Sequence, residues 1–201
     1  MIFGVQWYLW LILLVAIILT VFVSIKASKA AKIRRERLKK EAELWQRDYD
    51  LRQNFSVLTE KKLFETERAE LLHGVAMNIQ VFLEKESNMN NSFKALPVEK
   101  QYIYALEYFD QDAKTGLKTF FKNNGAPLTT VISNALKAVG ANKLFECVER
   151  IAPMYDIEND VSIDYAIVDK VNEEFKEIYN SYDFCLLCGK YIMENKEIFL
   201  S

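Results

Sequence analysis

The sequence predicts an all-α protein with a single N-terminal transmembrane helix, a helical stalk and a compact C-terminal multi-helix domain. The first 25 residues carry no charged side chain and are mostly apolar. In the rest of the chain, apolar residues recur at intervals of three and four, as they do on one face of a helix. No stretch alternates apolar and polar residues in the way that is typical of a half-buried strand.

Charge is distributed unevenly along the 201 residues. Residues 26–93 contain 14 Lys and Arg against 11 Asp and Glu, whereas residues 94–201 contain 12 against 17. The chain therefore runs from apolar through basic to acidic, and each part is expected to face a different environment. We divide it into a transmembrane anchor (1–25), a basic juxtamembrane helical stalk (26–58), an amphipathic helix with a polar linker (59–93) and a helical domain (94–201).

The anchor is predicted from an apolar run over residues 5–25. A helix needs about 20 mostly apolar residues to cross a bilayer, and this run supplies them. Trp7, Tyr8 and Trp10 lie at its leading end, where aromatic residues contact the membrane interface. A cleaved signal peptide would have a positive segment before a shorter apolar run, but no Lys or Arg precedes this one. We therefore expect an uncleaved single span.

A basic cluster follows the apolar run directly. Its membrane-flanking members are Lys26, Lys29, Lys32, Arg34, Arg35 and Arg37. Positive charge beside a span stays in the cytoplasm, which predicts an inner-membrane protein with its N-terminus outside and its C-terminal domain in the cytoplasm. The cluster could also bind anionic lipid headgroups. Direct binding of nucleic acid is not expected, because no aromatic residue interleaves with the cluster before Trp45.

The stalk is predicted to be helical because residues 27–55 contain no Gly or Pro and are rich in Ala, Lys, Glu, Arg and Leu. Leu38, Ala42, Trp45 and Tyr49 form one apolar strip at helical spacing. The strip is not sustained over three clean heptads, so it does not establish a coiled coil. The strip is still compatible with a homo-oligomer that associates through Trp45.

Residues 59–86 are predicted to form a second helix, with Thr59 as its N-cap. Leu71, Val75 and Ile79 lie on its apolar face. His73 is the only histidine, and it lies in mid-helix without a Ser or Cys motif nearby. We therefore predict a surface or packing role for it rather than a catalytic one. The polar residues 87–92 are predicted to form a linker, and we place the boundary of the C-terminal domain there.

Short helices are predicted throughout the C-terminal domain, separated by helix breakers. Pro97 and Pro127 suit helix starts, where a missing N–H group costs nothing. Gly116 suits a break because it tolerates positive φ, and Gly140 suits the position just after a helix. The many Tyr and Phe side chains of this region are expected to supply a large core.

Several runs in this domain occur in the order and at the spacing of a known family. They are Pro97 with Tyr104-Ala105-Leu106, Thr119-Phe120-Phe121-Lys122-Asn123, Ala135-Leu136-Lys137-Ala138-Val139-Gly140-Ala141 and Tyr191-Ile192 with Asn195 and Phe199. On these residues, the segment 96–200 resembles the C-terminal all-helical domain of the bacterial DNA-mimic protein family. The sequence departs from the family pattern at an Asn-Gly-Gly turn, of which only Gly116 remains, and at a Gln that is Thr119 here.

The resemblance implies an acidic surface that occupies the site of a DNA-binding protein. The candidate partner-binding residues are Asp156, Glu158, Asp160, Asp164, Glu173, Glu174 and Glu177. A solvated loop and helix face is the other interpretation of the same charges. Our leading hypothesis is a membrane-anchored, cytoplasm-facing protein-interaction module without catalytic activity, which binds a basic or DNA-binding protein. The alternative is a structural, oligomerising membrane-anchored helical scaffold.

Catalytic and metal-binding motifs are not evident in the sequence. Cys185 and Cys188 have the C-x-x-C spacing, but a zinc site needs four ligands and only Cys147 and the distant His73 remain. A thioredoxin-like use of the pair needs a βαβ setting. We expect buried thiols, no disulfide framework, no cofactor and no metal. Asp110 and Asp112 are two residues apart and should diverge on a helix.

Overall fold

The computed structural model describes residues 7–155 and 163–200 and divides the chain into two units, Met1–Tyr49 and Asp50–Ser201. The described residues form helices and short connections and contain no strand. The predicted all-α class is confirmed. The helices are α1 (Trp7–Asn54), α2 (Glu60–Glu65), α3 (Arg68–Leu83), α4 (Met89–Ala95), α5 (Val98–Ala113), α6 (Leu117–Asn123), α7 (Leu128–Ala138), α8 (Asn142–Ile151), α9 (Tyr165–Asn180), α10 (Phe184–Glu194) and α11 (Lys196–Phe199), with a 3₁₀ turn at Ala152–Met154 between α8 and α9.

The described residues of the first unit belong to α1, as far as Tyr49. Its apolar side chains are about half exposed where they are described, as Leu13 and Phe22 illustrate. Helix α1 is long enough and apolar enough to cross a membrane. A signal sequence can have the same length and composition.

The stalk part of α1 is exposed from Lys26 to Asp50, including all six membrane-flanking basic residues, whereas Leu51 and Arg52 are partly buried. Arg37 pairs with Glu41 one turn later, at 2.9 Å between Nε and Oε1. Leu38, Trp45 and Tyr49 are also exposed, and Trp45 keeps 78% of its surface in contact with solvent. The predicted apolar strip therefore lies on the surface of this unit.

The core of the second unit is built around α5, whose neighbours are α3, α6, α7, α10 and α11. Helical spacing on α5 places Ile103, Leu106 and Phe109 in the core without any exposed surface. The Phe109 ring meets the rings of Phe120 on α6, Phe175 on α9 and Phe184 on α10 at centroid distances of 5.4, 5.6 and 5.6 Å. Tilted and edge-on ring pairs of this kind stabilise a fold beyond the area that they bury.

The predicted helix over 59–86 is two helices, and the prediction of one continuous helix is wrong. Thr59 caps α2 as expected, since its Oγ1 accepts a hydrogen bond from the Lys62 N–H at 3.2 Å. The helix ends at Glu65 because Thr66 adopts extended backbone angles. The Thr66 hydroxyl donates to the Lys62 carbonyl at 2.8 Å, a local bond that competes with helix continuation.

Helix α3 packs against both α10 and α5. It buries Leu71, Leu72, Val75 and Ile79 almost completely. The second unit begins at Asp50, so α3 and the predicted linker at 87–92 lie inside it, whereas the sequence-based division placed a boundary at that linker. Helix α4 begins within the linker, capped by the Asn88 side chain.

The predicted break at Gly116 is present and separates α5 from α6. Gly116 has a φ of +125°, which side chains with a Cβ rarely adopt. A Cβ there would also lie 2.4 Å from Oδ1 of Asn172 on α9. That oxygen accepts a hydrogen bond from the Lys118 N–H at 3.2 Å, in the first turn of α6. The absence of a Cβ therefore lets α9 supply a polar partner to the start of α6.

Helices α3 and α10 approach closely at Gly189. A Cβ on Gly189 would lie 1.9 Å from the carbonyl oxygen of Arg68, at the start of α3. We expect Gly189→Ala to destabilise the domain by about 1–3 kcal/mol, the usual cost of overpacking. The control is Gly125→Ala, because a Cβ there would have no neighbour within 4 Å. Urea unfolding of the detergent-solubilised full-length protein, followed by circular dichroism, measures both; equal midpoints would contradict the close approach.

Candidate functional site

Two features of the second unit are candidates for function: the acidic face of α9 and a half-buried group of polar side chains. Of the predicted partner-binding residues, Asp164, Glu173, Glu174 and Glu177 are described and exposed. Asp156, Glu158 and Asp160 lie outside the described residues.

Asp164 has a structural role at the start of α9. Its Oδ1 accepts hydrogen bonds from the N–H groups of Ala166 and Ile167 at 3.0 and 3.2 Å. An N-cap carboxylate satisfies N–H groups that lack partners within the helix and interacts favourably with the helix dipole. The carboxylate of Asp164, which was predicted to bind a partner, therefore stabilises the start of α9 instead.

Ion pairs cover much of the rest of the acidic face. Glu173 pairs with Lys176 at 2.9 Å and Glu174 pairs with Arg150 at 2.6 Å. Lys176 also lowers the pKa of Glu173, through its hydrogen bond. Because cations interleave with the carboxylates, the described part of this face is not a continuous negative stripe. Exposed pairs of this kind contribute only about 0–1 kcal/mol each, so a basic partner could replace the internal cations at little cost.

The whole second unit is nevertheless acidic. Residues 50–201 contain 17 Lys and Arg against 24 Asp and Glu, a net charge of −7. Residues 1–49 contain 9 against 4, a net charge of +5. The contrast makes the second unit the part of the chain that is suited to a basic partner.

The second candidate is a polar cluster formed by His73, Glu107, Asp110, Tyr179 and Cys185. The residues come from four helices: α3, α5, α9 and α10. Glu107 and Asp110 lie three residues apart on α5, a spacing that puts both side chains on one side of the helix. Cys185 is in the first turn of α10, which Asp183 caps by accepting a hydrogen bond from the Leu186 N–H. The close contact of α10 with α3 brings His73 to this group.

Contacts within the polar cluster run from carboxylate to imidazole to thiol to carboxylate. His73 Nδ1 lies 2.7 Å from Glu107 Oε2, and His73 Nε2 lies 3.9 Å from Cys185 Sγ. Cys185 Sγ is 3.8 Å from Asp110 Oδ1. The Tyr179 hydroxyl donates to the same oxygen, and Lys114 Nζ lies 3.2 Å from Asp110 Oδ2.

Asp110 is the most buried member of the cluster, with 1% of its surface exposed. A buried carboxylate is costly unless it is paired and hydrogen-bonded, and Tyr179 and Lys114 provide those partners. The side chains of His73 and Glu107 are 16% and 14% exposed, so the cluster is close to the surface.

The cluster perturbs the acid–base properties of its members. The hydrogen bond to Cys185 and then that to Glu107 raise the pKa of His73 to about 10, against the opposing effect of burial. Burial and the bond to Asp110 raise the pKa of Tyr179. Both shifts favour the protonated side chain at neutral pH, an imidazolium for His73 and a neutral phenol for Tyr179.

The sequence-based interpretation of several of these residues needs revision. His73 was predicted to be a surface or packing residue, whereas it is half-buried and has two polar partners. Cys188 is fully buried as predicted, but Cys185 is partly exposed and faces His73. The prediction that Asp110 and Asp112 diverge is confirmed, because Asp112 accepts hydrogen bonds from the side chains of Asn123 and Asn124 instead.

No local motif connects the members of the cluster. His73 and Cys185 are 112 residues apart, and His73 and Glu107 are 34 apart. The only sequence signal was the pair of carboxylates one turn apart on α5. The arrangement offers two kinds of chemistry: a thiol beside an imidazole that a carboxylate orients, and a sulfur, nitrogen and oxygen donor set.

The fold and the charge define an all-helical, acidic domain that follows a helix long and apolar enough to cross a membrane. The family model described as DMP19-like protein matches residues 94–195, which are 102 of the 201 residues. The chain therefore belongs to the DMP19-like family, named for DNA mimic protein 19, and the resemblance seen in the sequence is confirmed. No curated protein and no solved structure matches the chain. Helix α3 and His73 precede the matched residues.

The bond between Tyr179 and Asp110 can be tested by removing one hydroxyl. We expect Tyr179→Phe to destabilise the domain by about 1–3 kcal/mol, because a buried charged acceptor loses a donor. Tyr182→Phe is the control, since the hydroxyl of Tyr182 has no hydrogen-bond partner among the described residues. Urea unfolding of the full-length protein in detergent compares them. Similar losses in both variants would show that the bond contributes nothing specific.

Proposed function

We propose that this protein is a single-pass inner-membrane protein that presents an acidic, DNA-mimic-family domain to a DNA-binding protein in the cytoplasm and has no catalytic activity of its own. The observation that carries the proposal is the match of the DMP19-like family to most of an acidic helical domain. Membership in a DNA-mimic family points to partners that bind DNA.

The charge of the domain supports a basic partner. Proteins that bind DNA have Lys and Arg surfaces that neutralise phosphates, and this term supplies much of their affinity. The net charge of −7 on residues 50–201 attracts such a surface over a distance of about 10 Å at 0.1 M salt. At contact, exposed carboxylates such as Glu174 and Glu177 release their bound water or their cations from within the protein. They then pair with cations of the partner.

The N-terminal part of α1 supports attachment to the membrane. Its apolar side chains are exposed in the unit to which it belongs, and a bilayer would cover them. The basic residues that follow favour the cytoplasmic side, and the same charges attract anionic lipid headgroups. A partner held by this domain at the membrane cannot use the same surface for DNA, so binding removes it from the chromosome.

The orientation can be tested with a protease added to intact cells. We expect residues 50–201 to be protected, because the positive flank keeps them in the cytoplasm, and to be digested once the cells are permeabilised. Immunoblotting with an antibody against the domain follows both reactions, and an outward-facing membrane protein serves as the positive control. Digestion of the domain in intact cells would reverse the proposed orientation.

Partner binding can be tested with charge reversal on α9. We expect Glu173→Lys, Glu174→Lys and Glu177→Lys together to weaken the capture of DNA-binding proteins from a lysate of the source organism by about tenfold or more, which corresponds to about 1.4 kcal/mol. The matched control reverses three exposed charges elsewhere: Glu67, Glu86 and Glu194. The full-length protein in detergent is the bait, and quantitative mass spectrometry is the readout.

Competition with duplex DNA makes this experiment specific. If the partner uses its DNA-binding surface, added duplex DNA and added salt should both release it from the wild-type bait. Capture that DNA does not affect, or that both triple variants reduce equally, would contradict mimicry by the α9 face.

A further inference from the structure

We propose that the polar cluster is a binding site for a divalent transition-metal ion of the zinc type, with His73, Asp110 and Cys185 as ligands. One ligand atom from each of these residues lies within 4.8 Å of the other two. The three donors are a nitrogen, an oxygen and a sulfur, a set that suits Zn²⁺ and disfavours Mg²⁺ and Ca²⁺, which prefer oxygen.

The distances are close to those of a tetrahedral site. With bonds of about 2.3 Å to sulfur and about 2.0–2.1 Å to nitrogen or oxygen, two ligand atoms of a tetrahedron lie about 3.3–3.6 Å apart. Cys185 Sγ is 3.9 Å from His73 Nε2 and 3.8 Å from Asp110 Oδ1. These two pairs need a contraction of a few tenths of an ångström, and the His73 and Asp110 ligand atoms, which lie within 4.8 Å of each other, must also move closer when the ion binds. Three protein ligands leave a fourth position for water or another small ligand.

Glu107 positions the imidazole for this role. It holds Nδ1 of His73 at 2.7 Å, which places a proton on Nδ1 and leaves Nε2 to face Cys185 and the metal. Histidine ligands usually donate their second N–H to a carboxylate in this way. Tyr179 and Lys114 hold the carboxylate of Asp110 similarly. The groups around the three ligands therefore match the surroundings of a metal site.

The charges also balance. With the metal bound, the Cys185 thiolate, Asp110 and Glu107 carry three negative charges, and the ion with Lys114 carries three positive charges. A half-buried cluster with no net charge avoids the desolvation cost of an unpaired ion.

Metal binding fits the cluster better than a nucleophilic cysteine does. The carboxylate of Asp110, 3.8 Å from Sγ, would repel an anionic intermediate formed on that sulfur. A metal ion would instead be held by the sulfur and the carboxylate together. The ligands belong to α3, α5 and α10, so the ion would also join His73, which precedes the family-matched residues, to the matched domain.

Cobalt(II) substitution of the full-length protein in detergent tests the site. We expect one equivalent of Co²⁺ to bind, with a thiolate-to-cobalt charge-transfer band and the intense visible bands of four-coordinate cobalt, and Zn²⁺ to displace it. Cys185→Ala should abolish the charge-transfer band. The matched control, Cys188→Ala, removes a thiol one turn later on α10 and should retain it. Failure of the wild type to give the band, or its persistence in Cys185→Ala, would overturn the proposal.

A second variant tests the role of Glu107 without removing a ligand. Glu107→Gln should keep the four-coordinate cobalt spectrum and weaken Zn²⁺ binding about 10–100-fold, the usual effect of losing a carboxylate behind a histidine ligand. Competition with a chromophoric chelator measures the affinity, and circular dichroism confirms that each variant is folded. Unchanged affinity in a folded Glu107→Gln variant would overturn the positioning role of Glu107. These readouts do not depend on any protein partner.

Discussion

The burial of one face of α5 against several other helices is the constraint on which the rest of the domain depends. Phe109 joins α5 to α6, α9 and α10 through ring contacts, while α3 and α7 also pack against it. A polar residue on the buried face of this helix must then find a partner inside the protein. Asp110 does so with Tyr179 and Lys114, and this requirement draws residues from separate helices into one polar group.

Features set by local chemistry were predictable from the sequence. The Thr59 cap, the break at Gly116 and the helix end at Gly140, whose φ is +79°, each depend on a few neighbouring residues. The break at Thr66 was missed because no Gly or Pro marks it. The contact of His73 with Cys185 was missed for a different reason. It depends on how two distant helices dock, which periodicity within either helix does not determine.

The acidic face illustrates how the fold modifies a charge pattern. The sequence presents α9 as a run of carboxylates, but folding places Arg150 beside Glu174 and uses Asp164 as a cap. The attraction to a basic partner therefore comes from the net charge of the domain more than from a bare stripe on one helix. Such attraction increases the rate of encounter and is sensitive to salt, whereas specificity must come from the groups that meet at contact.

The position of α3 has a consequence for what counts as a minimal folding unit. Residues 94–195 define the family match, yet α3 lies before them and buries its apolar face against α5 and α10. A fragment that starts at Lys94 would lack α3 and would expose the apolar surfaces of α5 and α10 that this helix covers. Such a fragment would be prone to aggregate. The shortest soluble derivative should instead begin near Asp50, where the second unit starts, so that it retains the helix that closes the core.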